Sequence, residues 1–245
     1  MTKKCLHRVL AIALFAIAPF LPSNATEIVP VLTYHSHPPF QTGAREGLTW
    51  ELASYLTSAA GGRYRFEVQL LSRPAVNKAL ANGKVAVIPW VNPSWFSDRD
   101  EQRHVWARHI LMNDGNAVIS RRSRPIDYTG PASMQGMVLG GLRGHKYTQV
   151  DDYIKATGQL RRVDANNLTD NIEKLREGRI DVTLMPLGAA RYLLRHLGLE
   201  DTLYISPSLQ QEFERRIIVS GRRTDIADFL DQALTHPAWK ARSSG

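Results

Sequence analysis

The sequence predicts an α/β fold of two similar lobes facing each other across a cleft, and three observations lead there. First, Lys78 to Pro89 reads KALANGKVAVIP and is echoed by Lys174 to Pro186, KLREGRIDVTLMP. Each reads as a helix ending on a Gly cap, then a basic residue, then a short apolar strand stopped by Pro. Second, the two copies lie about one small lobe's length of chain apart. A helix that feeds directly into a buried strand is half of a βαβ unit, so its recurrence implies two α/β lobes. Third, strands and helices alternate through both halves of the chain. Ligands in such sheets bind beyond the carboxyl ends of the strands, and Pro89 and Pro186 are expected to mark those ends.

The elements follow in order. Residues 28–34 are a first strand, which His37-Pro38-Pro39-Phe40 breaks sharply. Residues 47–60 form a helix, with Leu48, Leu52, Tyr55 and Leu56 at helical spacing and Gly61-Gly62 as its stop. Residues 64–70 alternate as a strand, 74–83 form a short helix, and 85–88 a buried strand. A polar and aromatic loop occupies 92–101. Residues 118–120 and 137–142 are strands, and Gly140-Gly141 in the second fits close approach by a backbone or a ligand. A helix begins near Tyr147. Helices over 171–177, 189–197 and 225–234 and strands over 180–185 and 216–220 complete the chain.

The chain has 245 residues and a net charge of +8. Lys3, Lys4 and Arg8 precede an apolar stretch, Val9 to Leu21, that is too short to span a bilayer comfortably. Ser23-Asn24-Ala25 then offers small residues at −3 and −1, so residues 1–25 read as a cleaved secretory signal. The single cysteine, Cys5, falls inside it. The remainder therefore has no disulfides and no thiol or zinc-thiolate chemistry. Its basic pairs, Arg121-Arg122, Arg161-Arg162, Arg215-Arg216 and Arg222-Arg223, are scattered rather than clustered. They read as solvated faces, and nucleic acid is excluded as a partner. No nucleophile elbow, Walker loop, HExxH or glycine fingerprint is present. The acidic groups Asp98, Asp100 and Glu101 fall in a surface-like stretch.

Taken in order, these motifs resemble the bacterial periplasmic solute-binding proteins of family 3, the polar amino-acid-binding type. Pro38-Pro39-Phe40 matches that family's turn after the first strand, and Gly47-Leu48-Thr49-Trp50-Glu51-Leu52 its opening of helix one. Leu139-Gly140-Gly141-Leu142-Arg143-Gly144-His145-Lys146 is similar to its second-lobe motif. The resemblance covers most of residues 28–240. It implies a two-lobed periplasmic binding protein-like (type II) fold with two crossover strands and an interlobe cleft. Lobe 1 would be 26–111 with 212–245, and lobe 2 would be 112–211. It also implies a periplasmic monomer that captures a small polar or anionic, amino-acid-like molecule for the permease of an ABC importer in the inner membrane. Such a protein needs no cofactor or metal and performs no catalysis. A sensing module without a transporter and a dehydratase-like exported enzyme are the alternatives.

The ligand residues depart from the family pattern. Pro186 stands where relatives keep an acid for the ligand's ammonium, and Tyr34 stands where a second acid is frequent. A buried ammonium without a carboxylate costs several kcal/mol, which argues against an ordinary α-amino acid. Candidate ligand residues are Tyr34, His37 and Phe40 beyond the first strand, and Trp90, Asn92 and Trp95 beyond the first repeat strand. Arg99 or Arg103 would reach an anionic group. Arg143, His145 and Lys146 would line the second lobe, where a helix start attracts carboxylate or phosphate. His35 and His37 are too sparse to hold a metal, and Asp181 is a structural partner.

Overall fold

The computed structural model describes residues 25–239. Apart from Ala25, the expected secretory signal with Cys5 lies outside the described residues. Among them no helix is long and apolar enough to cross a membrane.

The first lobe opens with β1 (Glu27–Thr33), α1 (Leu48–Ala59), β2 (Tyr64–Leu70), α2 (Arg73–Ala81) and β3 (Val87–Val91). Ser72 starts α2 by accepting a hydrogen bond from the Ala75 amide, with Pro74 placed in the first turn, where a missing N–H costs nothing. A two-residue strand, β4 (Val105–Trp106), precedes the long β5 (Met112–Arg121). The second lobe contains β6 (Val138–Leu142), α3 (Thr148–Thr157), β7 (Arg161–Ala165), α4 (Leu168–Arg176), β8 (Val182–Pro186), α5 (Leu187–His196) and β9 (Leu203–Ile205). The chain returns through β10 (Gln211–Val219) and ends its described part with α6 (Thr224–Thr235). The strands β4, β7 and β9 are not evident in the sequence pattern.

Strand order is β2-β1-β3-β10-β5-β8-β6-β7, with β4 on β10 and β9 on β5. Two strands join the lobes. Residues 211–215 of β10 pair antiparallel with 112–116 of β5, whereas 216–219 pair with β3 and β4. β5 continues from β10 to β8 and β9. Gly115 permits the close approach of the two crossing strands, because a Cβ there would lie 2.4 Å from the Gln211 carbonyl oxygen.

Each lobe is a sheet covered on both faces. In lobe 1, Val29, Val31, Leu56, Ile217 and Leu230 form the core under α1 and α6, while Leu32, Val76, Ile88 and Ile218 form the one under α2. In lobe 2, Ile119, Ile172 and Leu193 pack under α4 and α5, and Val118, Val150 and Leu184 under α3. Burying each such aliphatic side chain contributes about 1.5–3 kcal/mol before entropy is counted, so strand alternation decides which face each residue stabilises.

The two copies of the repeat end differently. Pro186 does close β8 and opens α5. Pro89 does not stop β3, which runs on to Val91. The register with β10 slips here: Ile88 pairs with Ile218, and Val91 with Arg216. A bulge is where a strand tolerates proline, because no ladder hydrogen bond is asked of it. Trp90 follows with φ of 66°. Gly140 and Gly141 are approached most closely by side chains of their own lobe, Ile180 with Asn171 and Asp164 with Arg162.

Candidate functional site

The end of β1 turns into a cluster of rings. Tyr34 and His35 have ring centroids 4.3 Å apart, His35 and Phe40 5.1 Å, and His37 and Phe40 5.3 Å. The Tyr34 hydroxyl accepts a hydrogen bond of 2.9 Å from Arg73, whose guanidinium also lies 4.0 Å from the centre of the Phe96 ring. Arg73 donates further to the Trp95 carbonyl and the Asn77 side chain. Burial pushes the Tyr34 hydroxyl above its ordinary pKa, against the pull of Arg73 and Arg215. His35 is 6% exposed, and its Nε2 has no hydrogen-bond partner. Burial drives its pKa well below the ordinary value, and Arg215, His37 and Arg73 push in the same direction. His37 is half-buried, with Nδ1 2.8 Å from the Pro38 carbonyl oxygen.

Beneath these rings lies a buried ion pair carried by the crossing strands. Arg215 on β10 is 1% exposed and Asp114 on β5 is 4% exposed. Arg215 Nε donates to Asp114 Oδ2 at 2.7 Å, and Nη1 to the Trp90 carbonyl at 2.7 Å. The guanidinium sits 4.8 Å from the Phe40 ring centre, 5.1 Å from Phe213 and 5.2 Å from Trp95, so aromatic faces share its charge. Asp114 Oδ1 accepts from the Gly115 amide at 2.8 Å and, across the lobes, from the Gly188 amide of α5 at 3.4 Å. Burial pulls the Arg215 pKa down, opposed by Asp114. The reading of Arg215-Arg216 as a solvated face is therefore corrected. Arg215 is buried because its strand face also carries Phe213 and Ile217, and Asp114 neutralises it. That i, i+2 pattern was the available sequence signal. Arg162 likewise is mostly covered, held between Asp151 at 2.6 Å and Asp164 at 2.7 Å.

The loop after β3 is a structural plug. The Trp90 ring is buried in the lobe 1 core with Phe40, and its Nε1 donates to Thr49. Asn92 caps a 3₁₀ turn through the Ser94 amide and donates to the Glu214 carbonyl. Trp95 packs edge-on against Phe213 at 4.9 Å. Asp98 is 0% exposed, which corrects its reading as a surface group. Burial pushes its pKa up, yet hydrogen bonds from Trp106 Nε1 and the Arg103 and His104 amides outweigh that and hold it below its ordinary value. Arg99 and Arg103 are exposed, and Arg103 donates to the carbonyl of Ser97 in its own loop.

On the second lobe, the turn from β6 to α3 presents Arg143, His145 and Lys146, all exposed. Arg143 donates to Asn166 at 3.0 Å. Arg162 braces the turn by donating to the Leu142 and His145 carbonyls. Tyr147 is buried, with its hydroxyl on the Leu184 carbonyl and its pKa pushed up to about 12 by burial. Surrounding protein lowers the His145 pKa, and Arg162 and Arg215 add to the effect against Asp151. Burial lowers the His37 pKa, with Arg215 and His145 adding to it against the Pro38 carbonyl and Asp114. Asp181 accepts from the Val138 amide and pairs with Arg121, a role internal to lobe 2.

The structure thus brings Tyr34, His37 and Phe40 together over Arg215 and leaves Arg143, His145 and Lys146 on the exposed turn of lobe 2. Trp90 and Asn92 serve the scaffold. Arg73, His35, Asp114 and Arg215 are the additions to the sequence-derived set. Two other concavities lie outside this cleft: one of about 330 Å³ beside Met137 and Gln159, and one of about 670 Å³ beside Arg108, where Arg108 and Asp231 already pair. Among the described residues no three His, Cys, Asp or Glu side chains could hold a metal ion.

The fold is that of two-lobed periplasmic binding proteins. The chain is similar to an ancestral arginine-binding protein bound to arginine (TM-score 0.69, 14% identity, 89% of this chain and 97% of that one). It is also similar to the substrate-binding protein of an amino acid ABC transporter (TM-score 0.64, 14% identity, covering 89% and 96%). A third likeness is to the periplasmic VFT2 domain of Bordetella pertussis BvgS (TM-score 0.61, 16% identity, covering 89% and 91%). No family model matches the chain, and no curated protein sequence matches it significantly.

Proposed function

We propose that the chain is a periplasmic solute-binding protein that closes two lobes on a small polar or anionic molecule and presents the closed form to the permease of an ABC importer. The observation that carries this reading is a two-lobed fold joined by crossing strands, with Tyr34, His37 and Phe40 gathered over Arg215 where those strands cross. A solute touching both walls favours the closed state by its differential contacts, and that shift is what a membrane partner can read. Binding rather than catalysis is supported by the similar structures, an arginine-binding protein bound to arginine and the substrate-binding protein of an amino acid ABC transporter.

The test is a thermal-shift screen of the purified chain against single organic acids and amino acids. A solute at a hundred times its Kd stabilises the fold by about 2.7 kcal/mol. A folded protein that shifts with none of them refutes the reading. The likeness to a BvgS periplasmic domain supports a second reading, a sensing module. Crosslinking in cells separates the two: recovery of a permease subunit favours import, and recovery of a membrane sensor favours signalling.

A further inference from the structure

Among the described residues, the carboxylates that act on the cluster's histidines are already engaged. These are Asp114, acting on His37, and Asp151, acting on His145. Asp114 is consumed by Arg215 on one oxygen and by the Gly115 and Gly188 amides on the other. Asp151 is consumed by Arg162 on one oxygen and by the Tyr147 amide on the other. Cationic donors, by contrast, are available. Among the described residues, Arg73, Arg143 and Lys146 form no ion pair with a carboxylate, and Arg73 is held in place by Tyr34, Asn77 and the Trp95 carbonyl.

The cations stand close to the rings: the Arg73 guanidinium lies 4.8 Å from the Tyr34 ring centre and that of Arg215 4.8 Å from the Phe40 ring centre. At His35 the charged neighbours that act are all cationic or imidazole: Arg215, His37 and Arg73. At His37 the Arg215 effect exceeds that of Asp114, and at His145 those of Arg162 and Arg215 exceed that of Asp151. An ammonium placed among these rings meets the burial cost and the cationic repulsion that together lower the histidine pKa values, and Asp114 and Asp151 are already paired with arginines. An oxyanion meets attraction and free N–H donors.

We propose that the solute is an organic acid bearing a carboxylate or similar oxyanion and lacking an ammonium group. This rests on the solute-binding reading above and adds the substrate class. Calorimetric titration of the full chain with matched pairs tests it: succinate against aspartate, glutarate against glutamate, and 3-phenylpropionate against phenylalanine. The expected result is at least one binding pair in which the acid is tighter than its amino counterpart by about tenfold or more. A pair in which the amino member binds tighter overturns the substrate class and leaves solute binding intact. Absence of binding by every member removes both.

Discussion

The two walls of the cleft are built on opposite plans. The lobe 1 wall is packed and prearranged. Phe40 and Trp90 are buried in its core, Tyr34 is pinned by Arg73, and Arg215 is locked to Asp114. The lobe 2 wall is an exposed turn whose Arg143, His145 and Lys146 are held through the backbone clamp of Arg162, backbone hydrogen bonds to Leu142 and Ala165, and contacts to Asn166 and Tyr147. Order on one side and reach on the other suit a solute that settles first on a rigid floor and is then covered. The difference also separates stability from binding: substitutions in the first wall act on both, and those in the second act on binding alone.

The largest effect tests the floor. Asp114→Ala leaves Arg215 charged and buried between aromatic rings, and we expect a loss of about 3–5 kcal/mol in urea unfolding. The double change Asp114→Leu with Arg215→Met is expected to recover most of that loss, since apolar residues of similar size need no partner. Equal loss in the single and double variants would mean that the pair contributes through shape rather than charge.

A smaller effect comes with pH. His35 has its folded pKa depressed by burial, and His37 and His145 are lowered too. A depressed histidine pKa means that the unfolded chain binds more protons, so stability is full above the unfolded value of about 6.5 and falls as pH drops below it. Thermal melts between pH 7.5 and 5 should show this slope, and His35→Asn should flatten it most, because His35 is the most deeply buried of the three. An unchanged slope in that variant would assign the titration to other groups.

The smallest change in stability is expected on the second wall. Arg143→Ala and Lys146→Ala should leave unfolding within about 0.5 kcal/mol of the parent. Each should nevertheless weaken the acid found in the matched-pair titration by several-fold. A variant that unfolds early instead would mean that this turn supports the lobe, and the contrast between the walls would fail.

Part of this was legible in the chain. The ends of β1 and β6 were marked by Pro38-Pro39-Phe40 and by Arg143 to Lys146, because local punctuation places residues at strand ends. Trp90 was not legible as scaffold, since an aromatic after a proline gives no hint that a bulge turns it inward toward Thr49. Asp98 was misread because two of its donors, the Arg103 and His104 amides, lie in a loop without periodicity and the third, Trp106, in the two-residue β4. Arg215 was misread because a double arginine looks solvated until strand alternation puts its two members on opposite faces.

Local signals in the sequence by themselves determined the alternation of strands and helices, the two lobes, and the strand end at Pro186, though not the one at Pro89. Caps, glycine stops and hydrophobic period act over a few residues, and a few residues suffice to read them. Only the tertiary structure decided which charges are buried and what the cleft attracts. Arg215 and Asp114 are 101 residues apart in the chain, and they meet because two strands cross between the lobes. The cost of burying a charge depends on the partner that folding brings to it, and no short stretch of sequence contains that partner.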